Sequence, residues 1–600
     1  MEMHKVHDLL TRWPALNVSA KRARLKDTLR VAPGPLAETL SARAPAAERA
    51  AAGLWRHDPS TWSADPDVQQ RIANRLGWLS SPELMAGSLD RVLAFAAAIK
   101  REGFSDVVLL GMGGSSLAPE VLRAVLGVAP GWPRFQVLDS TDPAAIRAAA
   151  TPPDRTLYLF SSKSGTTIEP NSLAAYFRQT LEEAGVQRWA DHFVAITDED
   201  TTLVQLARAE GFRDLFINPS DIGGRYSALS FFGLVPAALM GHDIAALVGW
   251  ALAMLSAAET GLGGVSSNPA VGLGLALGAA ALAGRDKLTL LLHSAFEPFG
   301  LWIEQLIAES TGKRGTGVVP IAGETFAEPA AYGDDRFFVR MRIHGSYAEE
   351  VRDAEIRDLK AANVPIAETD LPEPSAIGAE FVRWEIATAI AGALLQINPF
   401  DEPDVQRAKD ATRTLLDDYK ARGRLLVPAP DRVLDGDVPL TLTSAARVAL
   451  GSHGPECLLT LLRPHDYFAL LAYVGPDQEL FDELRAFRMA VRDRTHAATM
   501  FGYGPRYLHS TGQLHKGGPN TGVFLLISAS PRTDLVLPGD GFSFGTIELA
   551  QAVGDFASLD ATGRRALYVH LPAPDRRRVR DLAHALIERL PGSSEVPGVV

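Results

Sequence analysis

The chain has 600 residues, too many for one hydrophobic core, so we expect two to four domains. With 46% hydrophobic and 22% charged residues it has an ordinary globular composition, and a formal net charge of −12 argues against general binding to nucleic acid. The single cysteine, Cys457, excludes an intrachain disulfide and any multi-cysteine metal site. The start lacks the apolar core of a signal peptide, and the apolar stretches 244–258 and 270–284 are short for membrane spans. We therefore expect a cytoplasmic protein without a membrane partner, in which these stretches are closely packed internal helices.

In chain order, residues 1–100 predict helices and loops, after which apolar runs alternate with helix-length segments. The first group of predicted strands lies at 106–111, 134–139, 156–160, 192–197 and 214–218. Strands that alternate with helices are typical of a doubly wound parallel sheet. Ligands of such sheets bind beyond the carboxyl ends of the strands.

The alternation continues to the end of the chain. Further predicted strands lie at 287–293, 318–321, 337–343, 457–462, 467–474, 522–528 and 565–570, with helices at 300–310, 380–397 and 405–422. We predict an α/β fold with two doubly wound parallel-sheet domains and helical additions at both ends. The predicted regions are a helical region (1–100), a first α/β domain (101–245), the first part of a second (246–425) and a C-terminal α/β portion that completes it (426–600).

Two loops that follow predicted strands carry the first functional signal. Gly111–Ser116 has the spacing G-x-G-G-S-S rather than G-x-G-x-x-G, so contact with a phosphosugar is favoured over NAD, and a tight turn without a ligand is the alternative. Ser161–Thr167 offers five hydroxyl residues and a lysine between a strand and a helix. Backbone N–H groups and hydroxyls bind phosphate at such a place, and one helix cap would need only one hydroxyl. This loop predicts a small phosphorylated ligand.

Two further segments offer charged groups for chemistry. In Gly223–Ser227, two glycines let the backbone approach a ligand while Arg225 faces an anion; the alternative is a turn with a surface arginine. Glu309 ends an apolar helix, where a partly dry carboxylate can act as a base; the alternative is a solvated helix end.

Two segments nearer the end of the chain offer a lysine and two histidines. Lys409 lies two turns into a helix that begins after Asp401, and the pattern alone favours a solvated face. His509 and His515 lie in a glycine-rich loop and suit proton transfer better than zinc binding, because no further ligands stand at zinc spacing.

Together these segments resemble the phosphoglucose isomerase family, whose motifs follow the same order. The residues that carry the resemblance are Gly114-Ser115, Ser162-Lys163-Ser164-Gly-Thr-Thr167, Gly224-Arg225-Tyr-Ser and Glu309-Ser-x-Gly-Lys. The hydroxyl loop is similar to that of the wider SIS-domain sugar isomerases. The closest likeness is to the isomerase half of bacterial transaldolase–phosphoglucose isomerase fusions, over roughly residues 100–410.

Two segments depart from the family pattern. The family's Phe-Asp-Gln-x-Gly-Val-x-x-x-Lys segment stands here at residues 400–409 with Glu402 in place of the glutamine. The family histidine lies between the glutamate and lysine segments, where this chain has only His344; its pattern, His-x-x-x-Gln-Leu-x-x-x-Gly, occurs instead at His509–Gly518 and includes Gln513. We expect His509 to be the site histidine, because catalytic geometry need not follow chain order.

The resemblance implies an aldose–ketose isomerase of glycolysis and gluconeogenesis that interconverts glucose 6-phosphate and fructose 6-phosphate, needs no metal or redox cofactor, and forms a dimer. Implied substrate-binding residues are Gly114, Ser115, Ser162, Lys163, Ser164, Thr167, Gly224, Glu402 and Gln513. By the same resemblance Glu309 moves the proton through a cis-enediol(ate) that Arg225 stabilises, and His509 with Lys409 opens the sugar ring.

Other functions fit the same motifs. One alternative is a non-catalytic regulatory protein that binds a phosphosugar with an SIS fold, and another is an isomerase of a related hexose phosphate such as mannose 6-phosphate. A dinucleotide oxidoreductase is a poorer third. The sequence leaves the hexose open, because one pocket hydroxyl can decide it.

Overall fold

The structure is a computed structural model that describes residues 12–259, 264–343, 347–539 and 541–591. The chain divides into two compact units. The first unit comprises Met1–Asp139, Ala149–Thr311 and Phe337–Asp401, and the second comprises Ser140–Ala148, Gly312–Arg336 and Glu402–Val600. The four regions predicted from the sequence stay a prediction, which limited proteolysis would test.

The strands and helices of the described ranges follow in chain order. The strands are β1 Leu29–Ala32, β2 Asp106–Leu110, β3 Arg134–Leu138, β4 Thr156–Ser161, β5 Phe193–Asp198, β6 Asp214–Asn218, β7 Lys287–Leu291, β8 Val319–Ile321, β9 Arg336–Ile343, β10 Ile366–Leu371, β11 Arg432–Leu434, β12 Val438–Leu442, β13 Tyr467–Tyr473, β14 Ala498–Tyr503, β15 Gly522–Ala529 and β16 Arg565–Leu571. The helices are α1 Val18–Arg24, α2 Ala37–Trp55, α3 Pro66–Ala73, α4 Ser81–Glu102, α5 Leu117–Leu126, α6 Pro143–Ala148, α7 Ile168–Glu183, α8 Thr202–Glu210, α9 Phe231–Leu239, α10 Ile244–Glu259, α11 Val271–Leu282, α12 Glu297–Thr311, α13 Tyr347–Ala361, α14 Ile377–Leu394, α15 Val405–Arg422, α16 Ser444–Leu450, α17 Gln478–Thr495, α18 Gly512–Gly517, α19 Phe544–Ala561 and α20 Arg576–Ile587.

The first unit contains a parallel sheet with the strand order β3-β2-β4-β5-β6. Every residue of β2 and β4 is buried, as expected for a parallel sheet covered on both faces. A second sheet in this unit has the order β1-β10-β9-β7, in which β10 is parallel to β9 and antiparallel to β1. The loops predicted to bind phosphosugar follow β2 and β4, at the carboxyl edge of the first sheet.

Apolar helices pack closely in the first unit. A Cβ on Gly274 of α11 would lie 2.6 Å from the carbonyl oxygen of Ala387 in α14, and a Cβ on Gly378 of α14 would lie 2.2 Å from the carbonyl oxygen of Leu247 in α10. Glycine therefore allows backbones to meet where a larger residue would separate them. This confirms the prediction of packed internal helices. None of the helices in the described ranges combines the length and apolar character needed to cross a membrane.

The second unit contains a sheet with the order β11-β12-β16-β15-β13-β14. Strands β13 to β16 are parallel, whereas β12 is antiparallel to β16 and β11 to β12. Apolar side chains of β13, β15 and β16 form a core with those of α17 and α20, among them Leu470, Leu525, Val569, Leu484 and Leu582. The parallel sheets of the two units confirm the predicted α/β class.

Some predicted elements differ from the structure. The apolar run 457–462, predicted as a strand, lies almost wholly within a 3₁₀ helix, Pro455–Leu461, that has proline at its start. Short apolar runs do not distinguish strands from buried helices, and a proline at the first position is preorganised for a helical turn. Strands β1, β10, β11, β12 and β14 were not predicted from the sequence.

Candidate functional site

Two glycine loops of the first unit touch through their backbones. Gly114 lies in a turn after β2, and Gly224 begins a turn after β6. A Cβ on Gly114 would lie 1.9 Å from the carbonyl oxygen of Gly224 and 3.1 Å from the amide nitrogen of Arg225. Only glycine allows this approach, so these residues bring Ser115 and Arg225 to one place. The hydroxyl of Ser161, which begins the hydroxyl loop, donates to the carbonyl oxygen of Ser115 at 3.2 Å.

Arg225 is buried, with 2% of its surface exposed, and its guanidinium holds a carboxylate and three other groups. Its Nη1 lies 3.3 Å from Oε2 of Glu309, which is 7% exposed. Its Nε donates to Oγ of Ser310 at 2.7 Å, and its Nη2 donates to the carbonyl oxygens of Pro399 at 2.7 Å and Asp401 at 3.0 Å. A guanidinium held at several points orients its ionic partner firmly. The surface arginine and the solvated glutamate that the sequence left open are therefore both wrong.

Tyr226 extends this cluster. Its hydroxyl lies 3.3 Å from Oγ of Ser310 and donates to the carbonyl oxygen of Pro399 at 3.3 Å. Its ring packs against Trp78 and Phe400, with centroids 5.2 and 5.4 Å away. Burial raises the pKa of Tyr226 to about 12, so the hydroxyl stays protonated and acts as a donor. The only signal in the sequence that points to Tyr226 is its position next to Arg225.

Glu385 in α14 is a buried carboxyl group that the sequence analysis missed. It is 1% exposed, and its Oε1 makes no hydrogen bond with the described residues. Burial raises the pKa of Glu385 well above its usual value, and Glu385 contributes to the raised pKa of Tyr226. Burial therefore favours the protonated, neutral form of this carboxyl group.

We expect Glu385→Gln to be more stable than the parent protein at alkaline pH. Because the folded-state pKa of Glu385 is raised, its contribution to stability is full below the unfolded-state pKa, roughly 4.3, and is lost as the pH rises through the folded-state pKa. Glutamine is neutral at every pH, so the Glu385→Gln variant does not lose stability in this way as the pH rises. Free energies of unfolding from urea titrations between pH 5 and 9 measure the difference, which should grow with pH.

Glu373 supplies a control, because its pKa is shifted in the opposite direction to that of Glu385. Burial acts to raise its pKa, but hydrogen bonds from Ser375, Arg24 and Trp250 lower it to about 2. Its contribution is present above the unfolded-state pKa and lost only as the pH falls through about 2. Glu373→Gln should therefore destabilise the protein by a constant amount over pH 5–9. A constant difference for Glu385→Gln would contradict the neutral carboxyl.

The hydroxyl loop lies at the start of α7. The hydroxyl of Ser162 accepts from the amide of Gly165 at 3.2 Å, and that of Ser164 accepts from the amide of Thr166 at 3.3 Å. Thr167 occupies the position before α7, yet its side chain makes no capping hydrogen bond; its hydroxyl lies 3.4 Å from that of Ser164. Ser164 and Thr166 are exposed. These hydroxyls thus surround the positive end of a helix without serving as its cap.

Lys163 anchors this loop to the end of β5. Its ammonium contacts the carboxylate of Asp198 and donates to the carbonyl oxygen of Ser220 at 3.3 Å. The amide of Asp198 donates to the carbonyl oxygen of Lys163 at 3.3 Å. Burial raises the pKa of Asp198, against the effect of the lysine charge. Both the side chain and the backbone of Lys163 therefore fix the loop.

Other predicted site residues belong to the second unit. Gln513 is fully buried: its Oε1 accepts from the amide of Asp404 at 2.8 Å, and its Nε2 donates to Oδ2 of Asp404 at 2.7 Å and to the carbonyl oxygen of Gly312 at 2.9 Å. Glu402 is exposed. The oxygen and the nitrogen of the Gln513 side-chain amide are both engaged in joining the segments that contain Gly312 and Asp404.

The histidines and the lysine fall into different settings. His509 ends a 3₁₀ turn, Arg506–His509, and is half-buried. His515 is 1% exposed among the rings of Tyr467, Tyr507 and Phe524, and burial holds its pKa well below the usual value, so it is a neutral core residue. Lys409 belongs to α15, but its side chain lies outside the described residues, as does His344.

The described side chains include no group of three or more His, Cys, Asp or Glu residues that could hold a metal ion. The first unit brings together Gly114, Ser115, Gly224, Arg225 and Glu309, and joins the hydroxyl loop to Ser115. Chemically, this arrangement offers a carboxylate beside a fixed cation, and a helix start ringed by hydroxyls for an anion.

Comparison with known proteins gives consistent results. Residues 96–325 match the family described as Phosphoglucose isomerase. The chain is similar to a glucose-6-phosphate isomerase of Synechococcus sp. (strain CC9605), 29% identical over 460 residues, or 67% of this chain and 83% of that protein. It is 30% identical over 406 residues to a probable glucose-6-phosphate isomerase of Haloquadratum walsbyi, covering 61% of this chain and 92% of that protein. The crystal structure of a hypothetical protein from Thermus thermophilus matches with a TM-score of 0.53 at 26% identity, covering 64% of this chain and 99% of that one.

Proposed function

This chain belongs to the phosphoglucose isomerase family and interconverts glucose 6-phosphate and fructose 6-phosphate, and we propose that Glu309 is the base of that reaction. The observation that supports this role is the contact of 3.3 Å between the buried carboxylate of Glu309 and Arg225. Glu309 takes the proton from the carbon next to the carbonyl of the open-chain sugar, which leaves a cis-enediol(ate). It returns that proton to the adjacent carbon, while a proton passes from the oxygen that becomes the ketone to the former aldehyde oxygen, so aldose becomes ketose with no net gain or loss of protons.

Arg225 stabilises the enediolate in this proposal. Hydrogen bonds to Ser310 and to two backbone carbonyl groups hold the guanidinium of Arg225 in position. It therefore needs little rearrangement when negative charge develops on the sugar oxygens. Tyr226, held on the same groups, keeps Ser310 and Pro399 in place. The carboxylate and the guanidinium thereby act on one substrate from fixed positions.

The hydroxyl loop binds the phosphate group in this proposal. Ser162, Ser164 and Thr167 with the backbone at Lys163 surround the start of α7, where an anion is favoured by amide groups and by the helix dipole. Gly114, Ser115 and Gly224 line the sugar between this loop and Arg225, since their backbones join the loops. The loop thus fixes one end of the substrate while Glu309 acts at the other.

We expect Ser164→Ala to raise KM for fructose 6-phosphate about tenfold and to leave kcat within about twofold. A hydrogen bond to a charged group is worth about 1.5–3 kcal/mol, and phosphate contact is the same in the ground and transition states. Steady-state kinetics measure both constants. Ser88→Ala is the control, because Ser88 is half-buried and its hydroxyl contacts only the carbonyl oxygen of Leu84 among the described residues. A lower kcat with unchanged KM would contradict phosphate binding by Ser164.

His509, with Lys409, opens the sugar ring in this proposal, and Gln513 and Glu402 contribute to substrate binding. His509 is half-buried. Gln513 contributes by holding the segments of Gly312 and Asp404, which follow Glu309 and precede Lys409 in the chain. A homodimer and a cytoplasmic location are further proposals, which light scattering and cell fractionation would test.

The reaction itself is tested by a coupled assay with fructose 6-phosphate in the presence of a chelator. We expect turnover to persist with the chelator and to exceed turnover of mannose 6-phosphate under the same conditions. Faster turnover of mannose 6-phosphate would reassign the substrate. Binding of fructose 6-phosphate without turnover would indicate a regulatory protein instead.

A further inference from the structure

We propose that Asp555 is a positioning residue for His509, because it binds residues on both sides of the histidine in the second unit. This inference rests on the proposed function, in which His509 opens the sugar ring. Asp555 lies in α19, about 46 residues beyond His509 in the chain. It does not need to touch the substrate in order to act.

The contacts of Asp555 are short and buried. The hydroxyl of Tyr507 donates to its Oδ2 at 2.6 Å, and Nζ of Lys516 forms an ion-pair contact with its Oδ1 at 2.5 Å. Tyr507, Lys516 and Asp555 are exposed by 2%, 4% and 1%. Burial, with the charge of Asp555, holds the pKa of Tyr507 well above its usual value, so its hydroxyl is a permanent donor. Asp555 therefore accepts a hydrogen bond at Oδ2 and makes an ion-pair contact, without a hydrogen bond among the described residues, at Oδ1.

These partners enclose the histidine segment. Tyr507 stands two residues before His509 in the same 3₁₀ turn, and Lys516 lies in α18, which follows that turn. Arg564 holds the far end of the segment, since its Nη2 donates to the carbonyl oxygen of Gly518 at 2.9 Å and to that of Lys516. The segment is thus attached to α19 at its beginning and near its end, with His509 between.

A positioning role explains why ions are buried here. A buried ion pair is weak evidence for stability, because desolvation opposes the attraction, but it defines geometry. Proton transfer needs the imidazole within hydrogen-bond reach of the ring oxygen, and a displacement of about 1 Å can slow a reaction about 10²-fold. Loosening the turn at Tyr507 should therefore impair ring opening more than binding of a sugar that has no ring.

Tyr507→Phe tests this, since it removes one hydroxyl and keeps the ring. Anomer exchange of fructose 6-phosphate, followed by NMR in a Glu309→Gln background where isomerisation is slow, reports ring opening. We expect exchange to slow about tenfold, while the inhibition constant of 6-phosphogluconate, an open-chain sugar phosphate, stays within about twofold. Tyr568→Phe is the matched control: Tyr568 is also buried in the second unit, with its hydroxyl 2.7 Å from Oγ of Ser528, and its removal should change neither value.

Four outcomes overturn the inference. If Tyr507→Phe and Tyr568→Phe slow anomer exchange equally, or if Tyr507→Phe weakens 6-phosphogluconate binding as much as exchange, the network only stabilises the fold. His509→Ala separates the inference from its premise. Loss of exchange in His509→Ala with normal exchange in Tyr507→Phe overturns the role of Asp555 alone, whereas normal exchange in His509→Ala overturns both. Asp555→Asn keeps an acceptor without the charge, and we expect slow exchange at normal 6-phosphogluconate affinity in that variant as well.

Discussion

Replacing Glu309 with glutamine should lower kcat about 10²–10⁴-fold, with KM for fructose 6-phosphate within about threefold. The glutamine amide has the size of the carboxylate and can still accept a hydrogen bond from Nη1 of Arg225, but it cannot take a proton from carbon. The substrate is therefore bound normally and turned over slowly. Oxidation of the glucose 6-phosphate formed, by an excess of a dehydrogenase, measures the rate.

Glu297→Gln is the control for this change, because it makes the same substitution at the exposed first residue of the same helix, α12. Its kcat should stay within about twofold of the parent value, since Glu297 has no role in the proposed chemistry. If Glu309→Gln retained more than a tenth of the parent kcat, Glu309 would not be the base.

Replacing Arg225 should have the second-largest effect. We expect Arg225→Lys to lower kcat about 10²–10³-fold, because an ammonium retains the charge but cannot reproduce the fork that contacts Glu309, Ser310 and two carbonyl groups. Arg225→Met should also destabilise the protein by about 3–5 kcal/mol, because it breaks the buried ion pair between Arg225 and Glu309. Steady-state kinetics and urea denaturation measure the two effects.

Arg178→Lys supplies the comparison for an exposed ion pair. Arg178 and Glu182 are partners on the surface of α7, with side chains 42% and 46% exposed, so the change should cost less than about 1 kcal/mol. A kcat for Arg225→Lys near the parent value, with only stability altered, would show that the arginine maintains the fold and does not stabilise the enediolate.

The parallel sheet of the first unit could be predicted because its strands are short apolar runs bounded by turns and helix starts. Strand β10 could not, because Glu368, Thr369 and Asp370 interrupt its apolar pattern. In the structure Glu368 pairs with Arg340 of the neighbouring β9 and with Lys360 of α13, so its charge is compensated by residues of two other elements. A polar residue is tolerated in a buried strand once it has such partners, and the partners are unknown until the strands are aligned.

Strand β14 shows a second limit of sequence patterns. Gly502 lies within it, and glycine weakens a strand prediction. A Cβ at that position would lie 2.7 Å from Cβ of Tyr507, so the glycine serves a close approach between chain segments. The opposite error occurs at Pro455–Leu461, where a strand was predicted and the structure has a 3₁₀ helix. Its apolar residues suit a buried strand and a buried helix equally well.

The sequence by itself determined the local features of this protein: the alternation of strands and helices, and the hydroxyl loop between β4 and α7, because strand, loop and helix start are contiguous in the chain. Only the tertiary structure decided that Arg225 is buried against Glu309, a residue 84 positions further on, and that Gly114 lies against Gly224. From sequence, Arg225 and Glu309 could equally have been a surface arginine and a solvated helix end. Burial and ion pairing depend on how distant segments pack, and a pattern within one segment does not contain that information.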